Sequence, residues 1–115
     1  MDPLEPASFN LKSVTFGTGR KYEYCDQTPT EYKHGKTPIL LLLHGFLEFW
    51  YVWSYQIGPW VRRGWRTIVP NMLGYGGTDK PEDPALYTPL ALVGEIASFL
   101  DALGIKYPVV VVAHD

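Results

Sequence analysis

Cysteine is almost absent from this 115-residue sequence, and its single cysteine, Cys25, has no second one with which to form an internal disulfide. Because disulfides accumulate in oxidising compartments, this usage favours a reducing, cytoplasmic location. Long hydrophobic runs are absent too: none exceeds five residues, the length of the run from Ile39 to Leu43, whereas a transmembrane helix needs about 20. The acidic first residues lack the apolar core of a secretory signal. These absences predict neither a membrane span nor a secreted protein.

The sequence also lacks an excess of positive charge and any cluster of metal ligands. Lys and Arg number 10 against 12 Asp and Glu, a net charge of −2, so we expect no nucleic-acid partner. The histidines, His34, His44 and His114, are far apart and fall in different predicted elements, so we expect no metal site. Hydrophobic residues make up 46% of the sequence and aromatic residues 15%, a composition typical of a folded protein. We therefore expect one domain, residues 1–115.

Five strands are predicted, two from a hairpin pattern near the start and three from short apolar runs. Residues 12–16 and 21–25 flank Gly17-Thr18-Gly19, a spacer typical of a hairpin turn. The run at 39–43 is apolar without alternation, which favours a strand buried on both faces, although periodicity alone also allows a short buried helix. A short buried strand is predicted at 67–69 and another continuous apolar strand at 109–113.

Two helical segments separate the apolar strands. Between residues 49 and 63, apolar residues recur every three or four positions, which predicts a helix that is kinked or divided at Gly58-Pro59 and stops at Gly64. A second helix is predicted to begin after Thr88 as N-cap and to end at Gly104. Its predicted buried face comprises Leu90, Val93, Ile96, Ala97, Leu100 and Leu103.

Strands that alternate with helices predict an α/β fold: a mostly parallel sheet with an antiparallel N-terminal hairpin, the first half of an open sheet. In such sheets, functional residues collect at the carboxyl ends of the strands. Three ends are therefore expected to share one edge: His44-Gly45-Phe46, Pro70-Asn71 and Ala113-His114-Asp115.

Several residues at these ends are candidates for a role in chemistry. Gly45 allows a sharp turn, after which the Phe46 amide can stabilise an anion and its ring can line a pocket. His44 fits either a backbone hydrogen bond at a strand end or a chemical role. Asp115 can be a nucleophile, a metal ligand or a solvated strand end.

Glycines also cluster in the loop Gly74-Tyr75-Gly76-Gly77-Thr78-Asp79, which follows a strand. A dinucleotide-binding fingerprint requires glycine at the sixth position and a helix directly afterwards. Here Asp79 occupies the sixth position and Lys80-Pro81 follows. We therefore interpret the segment as a structural loop and expect no nucleotide cofactor; with no metal site predicted either, we expect no cofactor of any kind.

Three segments resemble the start of an α/β-hydrolase domain of the epoxide hydrolase type. They are Leu41-Leu42-Leu43-His44-Gly45-Phe46 with the later Trp53, Gln56 and Ile57, the loop from Val69 to Pro81, and Val110 to Asp115. The resemblance covers residues 9–115 and leaves 1–8 as an N-terminal tail.

The resemblance implies roles for the residues at the strand ends. Asp115 matches the nucleophile at the elbow after the fifth strand, and His114 matches the histidine before it. The Phe46 backbone N–H matches an oxyanion-hole donor, and Phe46 also contacts substrate. His44, Gly45 and His114 then serve the structure of the site.

The sequence departs from the family pattern at three positions. Leu47 stands where proline is usual, which leaves the turn around Phe46 open to a different geometry. Asn71 replaces an aspartate, and Ser54 replaces a common arginine. The family continues beyond the nucleophile into a helical lid, three more strands, a second acid and a catalytic histidine, so we expect this chain, a truncated domain, to be inactive by itself.

The function implied by the resemblance is hydrolysis of a small-molecule epoxide to a diol through an aspartyl ester. A haloalkane or haloacetate dehalogenase shares the aspartate and is the alternative, and a non-catalytic remnant is a third. Many haloalkane dehalogenases carry asparagine, a halide ligand, at the position of Phe46, which favours the epoxide interpretation, although haloacetate dehalogenases can also carry phenylalanine there. The resemblance also places the strand at 39–43 between the strands at 67–69 and 109–113. The strand at 109–113 then has a free, apolar edge, which we expect to promote self-association.

Overall fold

Two antiparallel strands, β1 (Leu11–Phe16) and β2 (Arg20–Gln27), open the fold in a computed structural model that describes residues 1–17 and 19–115. Their register pairs Leu11 with Cys25 and Phe16 with Arg20, which confirms the predicted hairpin. Thr18, in the predicted turn, lies outside the described residues.

The parallel part of the sheet comprises β3 (Ile39–Leu43), β4 (Arg66–Pro70) and β5 (Val110–Ala113). The strand order is β1-β2-β4-β3-β5, with β3 parallel to both β4 and β5 and β2 antiparallel to β4. This order confirms the α/β fold class and the predicted central position of the strand at 39–43. It also makes β5 an edge strand.

The first helical segment is a 3-10 helix, Trp50–Trp53, that continues directly into α1 (Ser54–Arg62). The division predicted at Gly58-Pro59 is therefore misplaced, because the helix type changes at Ser54 and Pro59 lies inside α1. Pro59 removes only one helical hydrogen bond, the one to the carbonyl of Tyr55, a residue that is exposed. The predicted stop is confirmed, since Gly64 follows the helix with φ of 93°.

The second helix, α2 (Pro89–Ala102), begins as predicted, with the Thr88 side chain accepting a hydrogen bond from the Ala91 amide at 3.3 Å. Its predicted buried face is wrong in part. Phe99 is the fully buried residue, whereas Leu90 and Val93 are 84% and 67% exposed. Apolar residues surround most of this helix, so periodicity alone does not select the face that packs.

β3 is covered on both faces of the sheet, as its uninterrupted apolar run predicts, whereas β5 is exposed. Leu40 and Leu42 point to the side of α1, and Ile39 and Leu41 point to the side of α2. Residues 1–8 include a 3-10 helix, Pro6–Ser8, and contact the α1 side through a hydrogen bond from the Tyr51 hydroxyl to the carbonyl of Pro3. Within residues 1–17 and 19–115, no helix is long and apolar enough to cross a membrane.

Candidate active site

The ends of β3, β4 and β5 meet at one edge of the sheet, as the topology predicts. The Phe46 amide, after β3, donates to Asp115 Oδ1, after β5, at 3.1 Å. The Met72 amide, after β4, donates to His44 Nε2 at 2.9 Å. These ends border an open cavity of about 310 Å³, which is lined by His44, Gly45, Phe46, Met72, Leu73, Tyr75, Tyr87, Leu92, His114 and Asp115.

Gly45 allows the two strand ends to approach each other. A Cβ atom at this position would lie 2.5 Å from Asp115 Cα and 2.7 Å from the carbonyl oxygen of His114, both backbone atoms. No side chain fits there without moving β5 away from β3. The contact between the Phe46 amide and Asp115 therefore depends on the absence of a side chain at residue 45.

His44 serves the backbone at this edge. Because the Met72 N–H is a donor, His44 Nε2 accepts, and the proton of the neutral ring lies on Nδ1, which donates to the Gly45 carbonyl at 2.9 Å. Burial lowers the pKa of His44, an effect opposed by the hydrogen bond to Gly45 and by Glu48. Of the two sequence interpretations, the structure shows the backbone hydrogen bond.

Glu48 is a site residue that the sequence analysis missed. Its Oε1 accepts the Gly45 amide at 2.8 Å and lies 3.5 Å from His114 Nδ1. The hydrogen bond from Gly45 lowers the pKa of Glu48, and His114 lowers it further. Glu48 thus connects the turn after β3 to the residue before Asp115.

The turn after β3 has an unusual backbone conformation at Leu47, whose φ is 60°. The ring of proline fixes φ near −65°, so the proline usual in the resembling family cannot adopt this conformation. Leu47, which replaces the proline usual in the family, therefore occupies a backbone conformation that proline cannot adopt. The Leu47 amide donates to the Tyr75 hydroxyl at 3.2 Å.

Asn71 joins three segments from a buried position at the end of β4. Its Oδ1 accepts the Trp50 amide at 2.7 Å, and its Nδ2 donates to Glu23 Oε1, on β2, at 2.7 Å. Glu23 Oε1 also accepts the Gly77 amide at 2.9 Å. The role of Glu23 had no local sequence signal, because its partners lie 48 and 54 positions away.

The glycine-rich loop packs on β2, in agreement with its interpretation as a structural loop. Thr78 Oγ1 donates to the Asn71 carbonyl at 2.7 Å, and Asp79 Oδ2 accepts the Lys21 amide at 2.7 Å. A Cβ atom on Gly76 would lie 2.2 Å from Asn71 Nδ2. The glycine at 76 therefore makes room for the Asn71 side chain.

The Asp115 carboxylate and the Phe46 amide lie together at the border of the cavity. Asp115 is exposed to the cavity, so its carboxylate can reach a ligand there. The Phe46 amide is directed at one carboxylate oxygen, where it can stabilise negative charge on that atom. The Phe46 side chain is 73% exposed and borders the same space.

A sequence profile described as the alpha/beta hydrolase fold matches residues 38–115. The chain belongs to the α/β-hydrolase family. Among curated α/β-hydrolase relatives, Epoxide hydrolase 3 of Siraitia grosvenorii is 47% identical over 81 residues, which are 70% of this chain and 25% of the relative. Bifunctional epoxide hydrolase 2 of Mus musculus is 40% identical over 113 residues, 98% of this chain and 19% of the relative.

A solved structure shows the same likeness. The epoxide hydrolase VrEH1 of Vigna radiata superposes with a TM-score of 0.80 at 36% identity, covering 95% of this chain and 32% of that one. This α/β-hydrolase is thus epoxide hydrolase-like in sequence and in backbone. It spans a quarter or less of the length of the two curated relatives.

Proposed function

We propose that this α/β-hydrolase chain forms the nucleophile side of an epoxide hydrolase site. Asp115 is the nucleophile at the elbow after β5, and the Phe46 amide is one donor of the oxyanion hole. The observation that carries the proposal is the 3.1 Å contact between the Phe46 amide and Asp115 Oδ1 across the ends of β3 and β5. The epoxide hydrolase names of the relatives support it.

In the first chemical step, a carboxylate oxygen of Asp115 attacks a carbon of the epoxide. The new C–O bond forms an ester as the epoxide C–O bond breaks, and the released alkoxide oxygen takes a proton from an acid. The resemblance assigns that acid to lid tyrosines.

In the second step, water attacks the acyl carbon of the ester and not the substrate carbon. Negative charge then develops on the carbonyl oxygen, where the Phe46 amide can donate to it. Collapse of the tetrahedral intermediate breaks the acyl C–O bond, releases the diol and regenerates the carboxylate. The resemblance assigns activation of the water to a histidine–acid pair.

Small-molecule epoxides are the proposed substrates, with Phe46 as a contact, and a haloalkane or haloacetate is the alternative. Phe46 presents an apolar ring where the resemblance places a halide-binding asparagine in many haloalkane dehalogenases, which favours the epoxide over the haloalkane. Haloacetate dehalogenases can also carry phenylalanine there. A non-catalytic remnant is the third possibility, and covalent labelling of Asp115 by an epoxide would exclude it.

The experiment compares the 115-residue chain with a full-length relative on an epoxide and on an alkyl halide. We expect the relative to release diol continuously, whereas the 115 residues alone release no diol, because loss of one member of a cooperating catalytic unit can abolish turnover. Diol release that disappears in Asp115→Asn would contradict the proposed inactivity. Halide release that exceeds epoxide consumption would favour the dehalogenase.

We propose two further properties of the chain. Cys25 is free and buried, which fits a reducing, cytoplasmic location that imaging of a fluorescent fusion would test. The free edge of β5 is proposed to promote self-association, because Val110, Val111 and Val112 are 48%, 52% and 40% exposed.

A further inference from the structure

The turn after β3 contains a strained residue that its own packing does not stabilise. Leu47 has φ of 60°, in the left-handed region that a branched side chain rarely occupies. Its side chain is 79% exposed, so burial of the leucine does not compensate for the strain. The conformation must be held by other contacts of the turn.

Hydrogen bonds from successive amides provide those contacts. The Gly45 amide donates to Glu48 Oε1 at 2.8 Å, and the Phe46 amide donates to Asp115 Oδ1 at 3.1 Å. The next amide, of Leu47 itself, donates to the Tyr75 hydroxyl at 3.2 Å. Tyr75 is thus the acceptor for the strained residue, directly beside the amide that faces Asp115.

Tyr75 is itself held in place. Its ring packs edge-on against His44, with ring centroids 4.9 Å apart. Its backbone amide donates to the Met72 carbonyl at 3.0 Å, and its carbonyl accepts the Thr78 amide at 3.1 Å. The hydroxyl is therefore a fixed point from which the loop after β4 can hold the turn after β3.

We propose that the Tyr75 hydroxyl is a positioning residue for the oxyanion hole: by accepting the Leu47 N–H, it keeps the Phe46–Leu47 peptide oriented so that the Phe46 amide faces Asp115. The catalytic meaning of this positioning rests on the proposed function. The positioning itself is a structural claim that is testable without turnover.

Hydrogen–deuterium exchange with mass spectrometry of the peptide covering residues 44–49 tests the proposal. Phenylalanine keeps the ring of Tyr75 and removes only the oxygen, so we expect Tyr75→Phe to speed exchange of the turn about fivefold to tenfold, the effect of one lost hydrogen bond. Tyr87→Phe is the matched control, because the Tyr87 hydroxyl lies at the same cavity but donates to the Pro81 carbonyl. It should leave exchange of the turn unchanged.

Leu47→Gly provides a second variant, because glycine adopts positive φ without strain. Because glycine removes the strain, loss of the Tyr75 hydroxyl should then matter little. We expect the exchange rate of the peptide 44–49 in the double variant Leu47→Gly with Tyr75→Phe to lie within about twofold of the rate in Leu47→Gly alone. The proposal is overturned if the turn is unprotected in the original chain, if Tyr75→Phe leaves it unchanged, or if Tyr87→Phe has the same effect. Absence of a covalent epoxide adduct on Asp115 would refute the proposed function and leave this result standing.

Discussion

Asn71 connects the hairpin to the active-site edge through a carboxamide that both accepts and donates. Aspartate, usual at this position in the resembling family, would keep the acceptor for Trp50 but replace the donor that Glu23 requires. A buried and a half-buried carboxylate would then face each other across a 2.7 Å contact. We expect Asn71→Asp to lower the free energy of unfolding by about 3 kcal/mol, measured by urea denaturation.

The matched control removes the repulsion and keeps the shape of both side chains. In Glu23→Gln with Asn71→Asp, the amide can again donate across the contact, so part of the lost stability should return. The return is incomplete because the Gly77 amide donates to the same Glu23 oxygen in the original chain and loses that acceptor. Equal urea midpoints for Asn71→Asp and the original chain would show that the contact between these two side chains does not form.

His44 makes stability depend on pH near neutrality. Burial lowers its pKa in the folded chain below its ordinary value of 6.5. The unfolded chain therefore binds the proton more readily, so this contribution to stability is complete above about pH 6.5 and declines as the pH falls below it. The pKa of Glu48 is also lowered, from its ordinary value of 4.5, so Glu48 affects stability only at a lower pH than His44 does.

The measurement is the thermal midpoint between about pH 5 and about pH 8. The midpoint of the original chain should fall on acidification, and His44→Gln, which does not titrate, should flatten the curve in this range. A slope that persists unchanged in His44→Gln would assign the effect to other groups.

The face of α2 that packs is decided by Phe99 and its contacts with β2. The Phe99 ring lies 5.7 Å from that of Tyr22 and 5.1 Å from that of Tyr24, measured between centroids. We expect Phe99→Ala to cost about 3–5 kcal/mol of unfolding free energy. Leu90→Ala, on the exposed side, should change it by about 0.5 kcal/mol or less. If urea denaturation shows equal losses of unfolding free energy for the two variants, the buried face of α2 is the one predicted from periodicity.

The elements that could be predicted from sequence are those with strong local signals. The apolar run of β3, bounded by Pro38 and Gly45, and the Thr88 cap of α2 required no tertiary information. The face of α2 could not be predicted, because the helix offers apolar residues on most sides and the choice depends on partners from β2.

Only the part of the site that follows from the sheet topology could be predicted. Parallel strand ends share an edge, which brings Asp115 to Phe46. Glu23, Glu48 and Tyr75 contribute through contacts with residues that local patterns do not reveal. The conformation of Leu47 likewise depends on acceptors supplied by other parts of the chain.

The two edges of the sheet differ in their tendency to associate. β5 presents exposed valines, whereas β1 carries Lys12, Ser13 and Thr15 among its residues. An apolar edge favours pairing with another strand, so we expect size-exclusion chromatography to show species larger than a monomer. Val111→Lys should shift the chain toward the monomer, and Leu11→Lys, on the opposite edge, should not. A clean monomer with a sharp, cooperative melt would contradict the expectation.

Covalent trapping shows whether Asp115 is a nucleophile toward epoxides. The chain is incubated with excess styrene oxide, and the intact mass and peptide map are recorded. We predict one adduct with the mass of the epoxide on Asp115, because water can protonate the released alkoxide, whereas hydrolysis of the ester requires the histidine–acid pair that the resemblance places outside these 115 residues. The adduct should be absent in Asp115→Asn and retained in Asp101→Asn, which removes an exposed carboxylate paired with Lys106. An adduct that persists in Asp115→Asn, or no adduct at all, would contradict the account.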